Sequence, residues 1–173
     1  MRRVVGIFLV FSMSVPIAVQ GQDIEAPTYT SEQRWERAAS FAVLGIVSTM
    51  RYLKDSGQPL EDYYGAMSDL FVPGWGAANS QSLTIIGGYL RNMALFPDCQ
   101  YEIADQSENH VTARMNRPWL KYFGENERWY GVTLQEYEGY FDYFNKRLAE
   151  YKGLVYEQWT EGDWMYVKFS RGS

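Results

Sequence analysis

One cysteine, one histidine and no run of basic residues set the first limits on this 173-residue chain. With Cys99 alone, no intramolecular disulfide can form, so the fold has to hold by packing. Zinc ordinarily takes three or four ligands from His, Cys and carboxylates, and His110 with Cys99 is all the soft chemistry present. No metal site and no bound cofactor is expected on that basis. DQSEN at 105–109 also lacks the alternating oxygen ligands of a calcium loop. No GxSxG elbow occurs, and any Ser/His pair would have to use His110, with Ser107 its near neighbour. Acidic residues outnumber basic ones, 21 to 16, for a formal charge of −5. A chain of that balance, lacking a basic stripe, is not expected to bind nucleic acid.

Long apolar runs are also missing, apart from one. Arg2 and Arg3 precede an apolar run from Val4 to Val15, and Val19 and Gly21 are small enough for the −3 and −1 positions of a cut before Gln22. That is the pattern of a secretory signal peptide over 1–21. The run is shorter than the roughly 20 residues a membrane-spanning helix needs. The expectation is a secreted or periplasmic protein without a stable membrane span after processing, a retained N-terminal anchor being the alternative. Residues 22–30 read as a flexible leader and 31–173 as a single domain. That length can bury a core without disulfide staples.

Aromatic side chains are what the sequence has in quantity. Four of the six tryptophans fall between Trp119 and Trp164. Such groups bury large areas while Tyr and Trp keep a polar handle, a property that cores and ligand sites both use.

Thr30 with Gln33 has the pattern of a capping box. From there Trp35, Ala38, Ala39, Ala42, Ile46, Thr49 and Leu53 recur at spacings of three and four, which predicts a helix to about Lys54. Pro59 suits the first turn of a second helix, running to about Phe71. VPGWGAANS at 72–80 reads as an ordered loop around Trp75. A third helix is predicted from Asn79 or Ser80 to Leu95, and Gly87-Gly88 in its middle suggests close packing or a kink.

The period then changes. Cys99, Tyr101 and Ile103 alternate with polar neighbours, as in a half-buried strand, and Val111, Ala113 and Met115 repeat the pattern after QSEN. Thr133 with Glu136 gives a second capping box. Leu134, Tyr137, Phe141, Phe144, Leu148 and Tyr151 then carry a long helix to a stop at Gly153. LVYEQWT and WMYVKFS flank EGD at 161–163 as a second hairpin. The predicted fold is α+β: N-terminal helices plus hairpin, helix and hairpin, forming an antiparallel four-stranded sheet with helices on one face.

That layout, with VTARMNRPW at 111–119 and GVTLQEYEGYFDYFNKRLAEYKGLVYEQW at 131–159, resembles the ligand-binding fold of 4-vinyl reductase domains and L-2-amino-thiazoline-4-carboxylic acid hydrolase-like proteins. The resemblance covers most of the chain after the leader and implies a small-molecule ligand. Such relatives often carry a cysteine just before the proline that follows the second strand. Asn116 and Arg117 precede Pro118 here, so the resemblance brings no cysteine chemistry and no catalytic residue.

MNRPWLKYFGENERWYG, residues 115–131, concentrates the candidate binding groups. Arg114, Arg117, Trp119, Tyr122, Arg128 and Trp129, with Tyr140 from the long helix, combine aromatic surface with guanidinium forks. A pocket of that composition suits an apolar or aromatic ligand, and the fork suits a carboxylate or phosphate on it. The competing reading pairs the arginines with Glu125 and Glu127 and leaves the aromatics to close the end of the sheet. Trp164 and Tyr166 occupy the outer face of the last strand, and a symmetric homodimer is the simplest cover for such a face. The functional expectation is an exported domain binding a small apolar or aromatic ligand with an acidic group. Two other readings stand beside it: a hydrolase of a small amide or cyclic substrate, and an envelope protein-interaction module.

Overall fold

The computed structural model describes residues 27–172. The expected signal peptide and residues 22–26 of the leader lie outside that range. The described chain runs α1 (Ser31–Asp55), α2 (Leu60–Phe71), a 3-10 turn (Val72–Trp75), α3 (Ile85–Met93), β1 (Tyr101–Gln106) and β2 (His110–Asn116). There follow a one-turn α4 (Leu120–Phe123), β3 (Arg128–Trp129), β4 (Val132–Thr133), α5 (Leu134–Lys152), β5 (Leu154–Glu161) and β6 (Trp164–Arg171). Four strands pair antiparallel in the order β1-β2-β6-β5. The fold is the expected α+β arrangement. Among the described residues no helix is long and apolar enough to cross a membrane.

Local chemistry sets both long helices. Thr30 accepts from the Gln33 N–H while the Gln33 side chain accepts from the Thr30 N–H, and Thr133 with Glu136 does the same for α5. Each box satisfies two of the N–H groups that a helix start leaves free. α5 ends at Gly153, whose φ of 69° is the left-handed conformation glycine adopts without strain.

The core lies between the helices and one sheet face. Val111, Ala113 and Met115 of β2 stand opposite Phe169, Val167 and Met165 of β6, and all six are buried. α1 contributes Ala39, Val43, Val47 and Met50, a seam rotated by one position from the expected Trp35–Ala38–Ala42 stripe. Val43 buries more apolar area than Ala42 beside it, and Met50 more than Thr49, which favours that face.

Two other expectations need correction. α3 begins at Ile85 rather than near Asn79, because Asn79 and Gln81 hold φ of 52° and 45°. Their N–H groups donate to Tyr151 O (2.7 Å) and Lys152 O (3.0 Å), carbonyls that the end of α5 leaves free. β1 begins at Tyr101, not Cys99, and is exposed along its length rather than half-buried. As an edge strand with a register shift between Ile103 and Asp105, it escapes coverage by the helices. Residues 128–133 form a small hairpin of their own, closed by Tyr130 and Gly131 with φ of 48° and 80°. Positive φ at both central residues is the geometry of a two-residue hairpin turn.

The outer sheet face carries a polar and aromatic ladder. Glu102, Arg114, Tyr166 and Trp159 follow one another directly across β1, β2, β6 and β5. The Arg114 Nε donates to Glu102 Oε1 (2.6 Å), its guanidinium lies 4.7 Å from the Trp164 ring, and Trp159 stacks on Tyr166 at 5.1 Å. Cross-strand pairs of this kind stabilise a solvated face.

One ion pair ties α1 to the start of α5. Lys54 Nζ donates to Glu136 Oε1 (2.6 Å) and to Gly131 O (3.0 Å). Burial works to raise the Glu136 carboxyl, but the Lys54 ammonium and the Thr133 N–H outweigh it, so the group titrates below its ordinary value. A carboxyl depressed by folding stabilises the native state fully above its unfolded-chain pKa, about 4.3, and loses that contribution as pH falls through the lower folded value. Glu136→Gln should therefore lower the melting temperature by a constant amount between about pH 6 and 8. Below about pH 4 the two proteins should converge, as thermal unfolding followed by circular dichroism would read.

Candidate functional site

The seven residues singled out in the sequence do not converge on one place. Arg114 stands on the outer sheet face, in the ladder just described. Arg117 and Trp119 meet Glu138 of α5: Arg117 donates through Nε (2.7 Å) and Nη2 (2.8 Å), and the Trp119 indole N–H donates at 2.8 Å. Trp119 is 1% exposed and packs against Phe96, Tyr137 and Phe141. The Arg117 fork and the Trp119 ring are both spent inside the protein. The arginine's partner is Glu138, from the facing helix, rather than Glu125 or Glu127.

Tyr122 stacks on Trp129 at 5.3 Å, and its hydroxyl donates to Glu36 of α1 (3.2 Å). The groove beside it is walled by Glu32, Glu36 and Asp98 together with Arg37. Lys121 bridges two of these carboxylates, Glu36 and Asp98. Arg128 is exposed on β3. Tyr140, on α5, stacks on Tyr63 of α2 at 5.7 Å, and burial followed by the Tyr63 neighbour pushes its hydroxyl up to about 12. Only Tyr140 of the seven lines the cavity described next.

The residues that carry other chemistry are easily placed. Ser107 Oγ lies 2.8 Å from His110 Nδ1, and His110 Nε2 lies 2.6 Å from Asp105 Oδ2, at the exposed tip of the first hairpin. The serine oxygen also accepts from the N–H groups of Asn109 (3.1 Å) and His110 (3.3 Å), so its lone pairs are engaged in closing the turn. Cys99 is half-buried, and burial with the Asp98 charge pushes its thiol up to about 11. A thiol held that high supplies little thiolate nucleophile. Among the described residues no three His, Cys, Asp or Glu side chains converge as a metal site would require.

A cavity of about 630 Å³ opens between α3, the 3-10 turn and α5. Drug-sized ligands occupy pockets of roughly 300–1,000 Å³ with mostly apolar walls. Here Trp75, Tyr89, Tyr140, Phe141 and Phe144 supply aromatic wall. Two polar side chains of α5 reach the same cavity, Asn145 at 1% and Lys152 at 4% exposure. Asn145 is engaged elsewhere, donating from Nδ2 to the Tyr156 hydroxyl at 3.2 Å.

Lys152 is different. Its ammonium donates to Ala77 O at 3.0 Å, and it forms no ion pair among the described residues. The acids on the neighbouring turns, Asp142 and Glu150, pair with Lys146 and Arg147 instead. A buried cation normally has a counter-charge. Among the described residues Lys152 has the Ala77 carbonyl as its acceptor, beside the partial negative charge at the end of α5.

Two glycines make room for these groups. A Cβ on Gly76, whose φ is 97°, would stand 3.3 Å from Lys152 Nζ. One on Gly88 would stand 2.6 Å from the Trp75 ring, which explains one of the two glycines in α3 as a close packing contact. The six-membered edge of the indole rests on the bare helix backbone there, and the ring also packs against Phe144 at 6.1 Å.

Spacing held a signal for the missed residues. Tyr137, Phe141, Asn145, Leu148 and Lys152 follow at four, four, three and four, so two polar side chains occupy positions on the inward seam of α5. No protein-family model matches the chain, and no curated protein matches it.

Proposed function

We propose that this is an exported binding domain for a small apolar or aromatic molecule carrying an acidic group, held in the cavity between α3 and α5. The observation that carries the reading is Lys152, a buried lysine lining an aromatic cavity, whose ammonium has no carboxylate partner among the described residues. A ligand carboxylate there supplies the missing counter-charge in a site of low dielectric, where a charge-assisted hydrogen bond is strongest. The aromatic wall takes the apolar part of the ligand. A small-molecule ligand is also what the resemblance in layout implies. The arginine cluster at 114–128 is not needed, since Arg114 and Arg117 already hold carboxylates of this chain.

Titration of the full chain with aromatic and aliphatic carboxylates, followed by tryptophan fluorescence, tests this through Trp75. Saturable binding is expected. Lys152→Met should weaken it roughly 10–100-fold, the worth of one hydrogen bond to a charged group. Arg114→Ala should leave it unchanged. Absence of a saturable response to any carboxylate, or full affinity in Lys152→Met, would overturn the proposal.

A further inference from the structure

We infer that the ligand is a short arylalkanoic acid, its ring against the Trp75 indole and its carboxylate on Lys152, with Gly88 setting the width of ring admitted. The inference rests on the binding reading above and narrows it to one ligand class.

VPGWGAANS now has a role. Trp75 lines the cavity, and Ala77, two residues on, offers the carbonyl that holds the Lys152 ammonium at 3.0 Å. Two residues along a chain place those backbone positions at most about 7.2 Å apart. An aromatic surface and the acceptor of a cation thus belong to one short loop on the cavity that Lys152 also lines. That pairing favours a ligand that joins a ring to a carboxylate over a plain alkyl chain.

The loop is itself anchored. Asn79 and Gln81 donate their N–H groups to Tyr151 O and Lys152 O, so the segment bearing Trp75 is tied to the same helix end that bears the ammonium. Gly76 adopts a φ that L side chains rarely take, and any Cβ there would press on Lys152 Nζ. Gly88 lets the indole lie back on α3. A methyl group at 88 meets the ring at 2.6 Å, so the indole must move, and Phe144 already packs on it from α5. Displacement from α3 carries the ring into the space between the helices. Gly88 therefore acts as a specificity-determining position without touching the acid group.

The test compares four probes on the full chain by calorimetry: 3-phenylpropionate, 3-(2-naphthyl)propionate, octanoate and 3-phenylpropan-1-ol. Both aryl acids should bind about tenfold more tightly than octanoate, and the alcohol more weakly than either. Trp75→Leu should abolish the preference for a ring over an alkyl chain while keeping acid binding. Gly88→Ala, which favours the helix intrinsically, should weaken the naphthyl acid about tenfold and the phenyl acid much less. Octanoate binding as tightly as the aryl acids, or an unchanged preference in Trp75→Leu, overturns this inference and leaves acid binding in the cavity standing. Equal losses for both aryl acids in Gly88→Ala overturn the role given to Gly88. Failure of all three acids to bind overturns both this inference and the function proposed above.

Discussion

Glu138→Ala is expected to destabilise the fold by about 3 kcal/mol, the low end of the cost of removing one partner from a buried ion pair, since this pair is partly buried. The carboxylate accepts three hydrogen bonds, two from the Arg117 fork and one from the Trp119 indole. Both charged side chains are only 15% exposed, so water reaches the stranded guanidinium poorly. The clasp also spans two parts of the fold, joining the segment after β2 to the second turn of α5. Equilibrium denaturation in urea measures the loss. The double variant Arg117→Ala/Glu138→Ala should lose much less than the sum of the singles, because the unpaired buried charge disappears with its partner. A loss below about 1 kcal/mol in Glu138→Ala would mean that Arg117 finds solvent and that the pair behaves as a surface bridge.

Trp119→Ala should cost a similar amount, about 3–5 kcal/mol, for a different reason. The indole is 1% exposed and touches three other rings, so its removal leaves a void that the surrounding aromatics fill only in part. For a domain of this size the melting temperature should fall by about 10 °C. Trp129 is half-buried and packs mainly on Tyr122, Phe123 and Tyr130, so Trp129→Ala should cost less than half as much. Affinity for carboxylates should persist in Trp119→Ala wherever the protein is still folded. A stable Trp119→Ala variant that has lost binding would instead place Trp119 at the ligand.

These two expectations show what was legible in MNRPWLKYFGENERWYG and what was not. The segment's turns are visible in it: Pro118 follows the end of β2, and Gly131 with Thr133 precedes α5. Its aromatics and arginines have the composition of a binding site, and composition is the same whether a fork waits for a ligand or already holds Glu138. The choice depends on a residue 21 positions away, brought within reach only when α5 packs against the segment. The cavity was hidden for the same reason. Trp75, Gly88 and Lys152 are scattered over three elements, and each alone reads as a loop aromatic, a weak helix position and a terminal cation.

What the sequence by itself determined is what short-range chemistry can enforce. The two capping boxes, the stop at Gly153, the hairpin at 162–163 and the periods of three to four and of two all involve partners a few residues apart. Neighbours on the chain meet whatever the rest of the molecule does, so these features are legible locally. The tertiary structure decided the start of α3, the exposure of β1, the partner of Arg117 and the setting of Lys152. Each depends on groups distant in sequence competing for the same hydrogen bonds or the same buried surface. Asn79 and Gln81 give their N–H groups to carbonyls more than seventy residues away, and the same packing sets Lys152 beside the cavity with its ammonium on the Ala77 carbonyl.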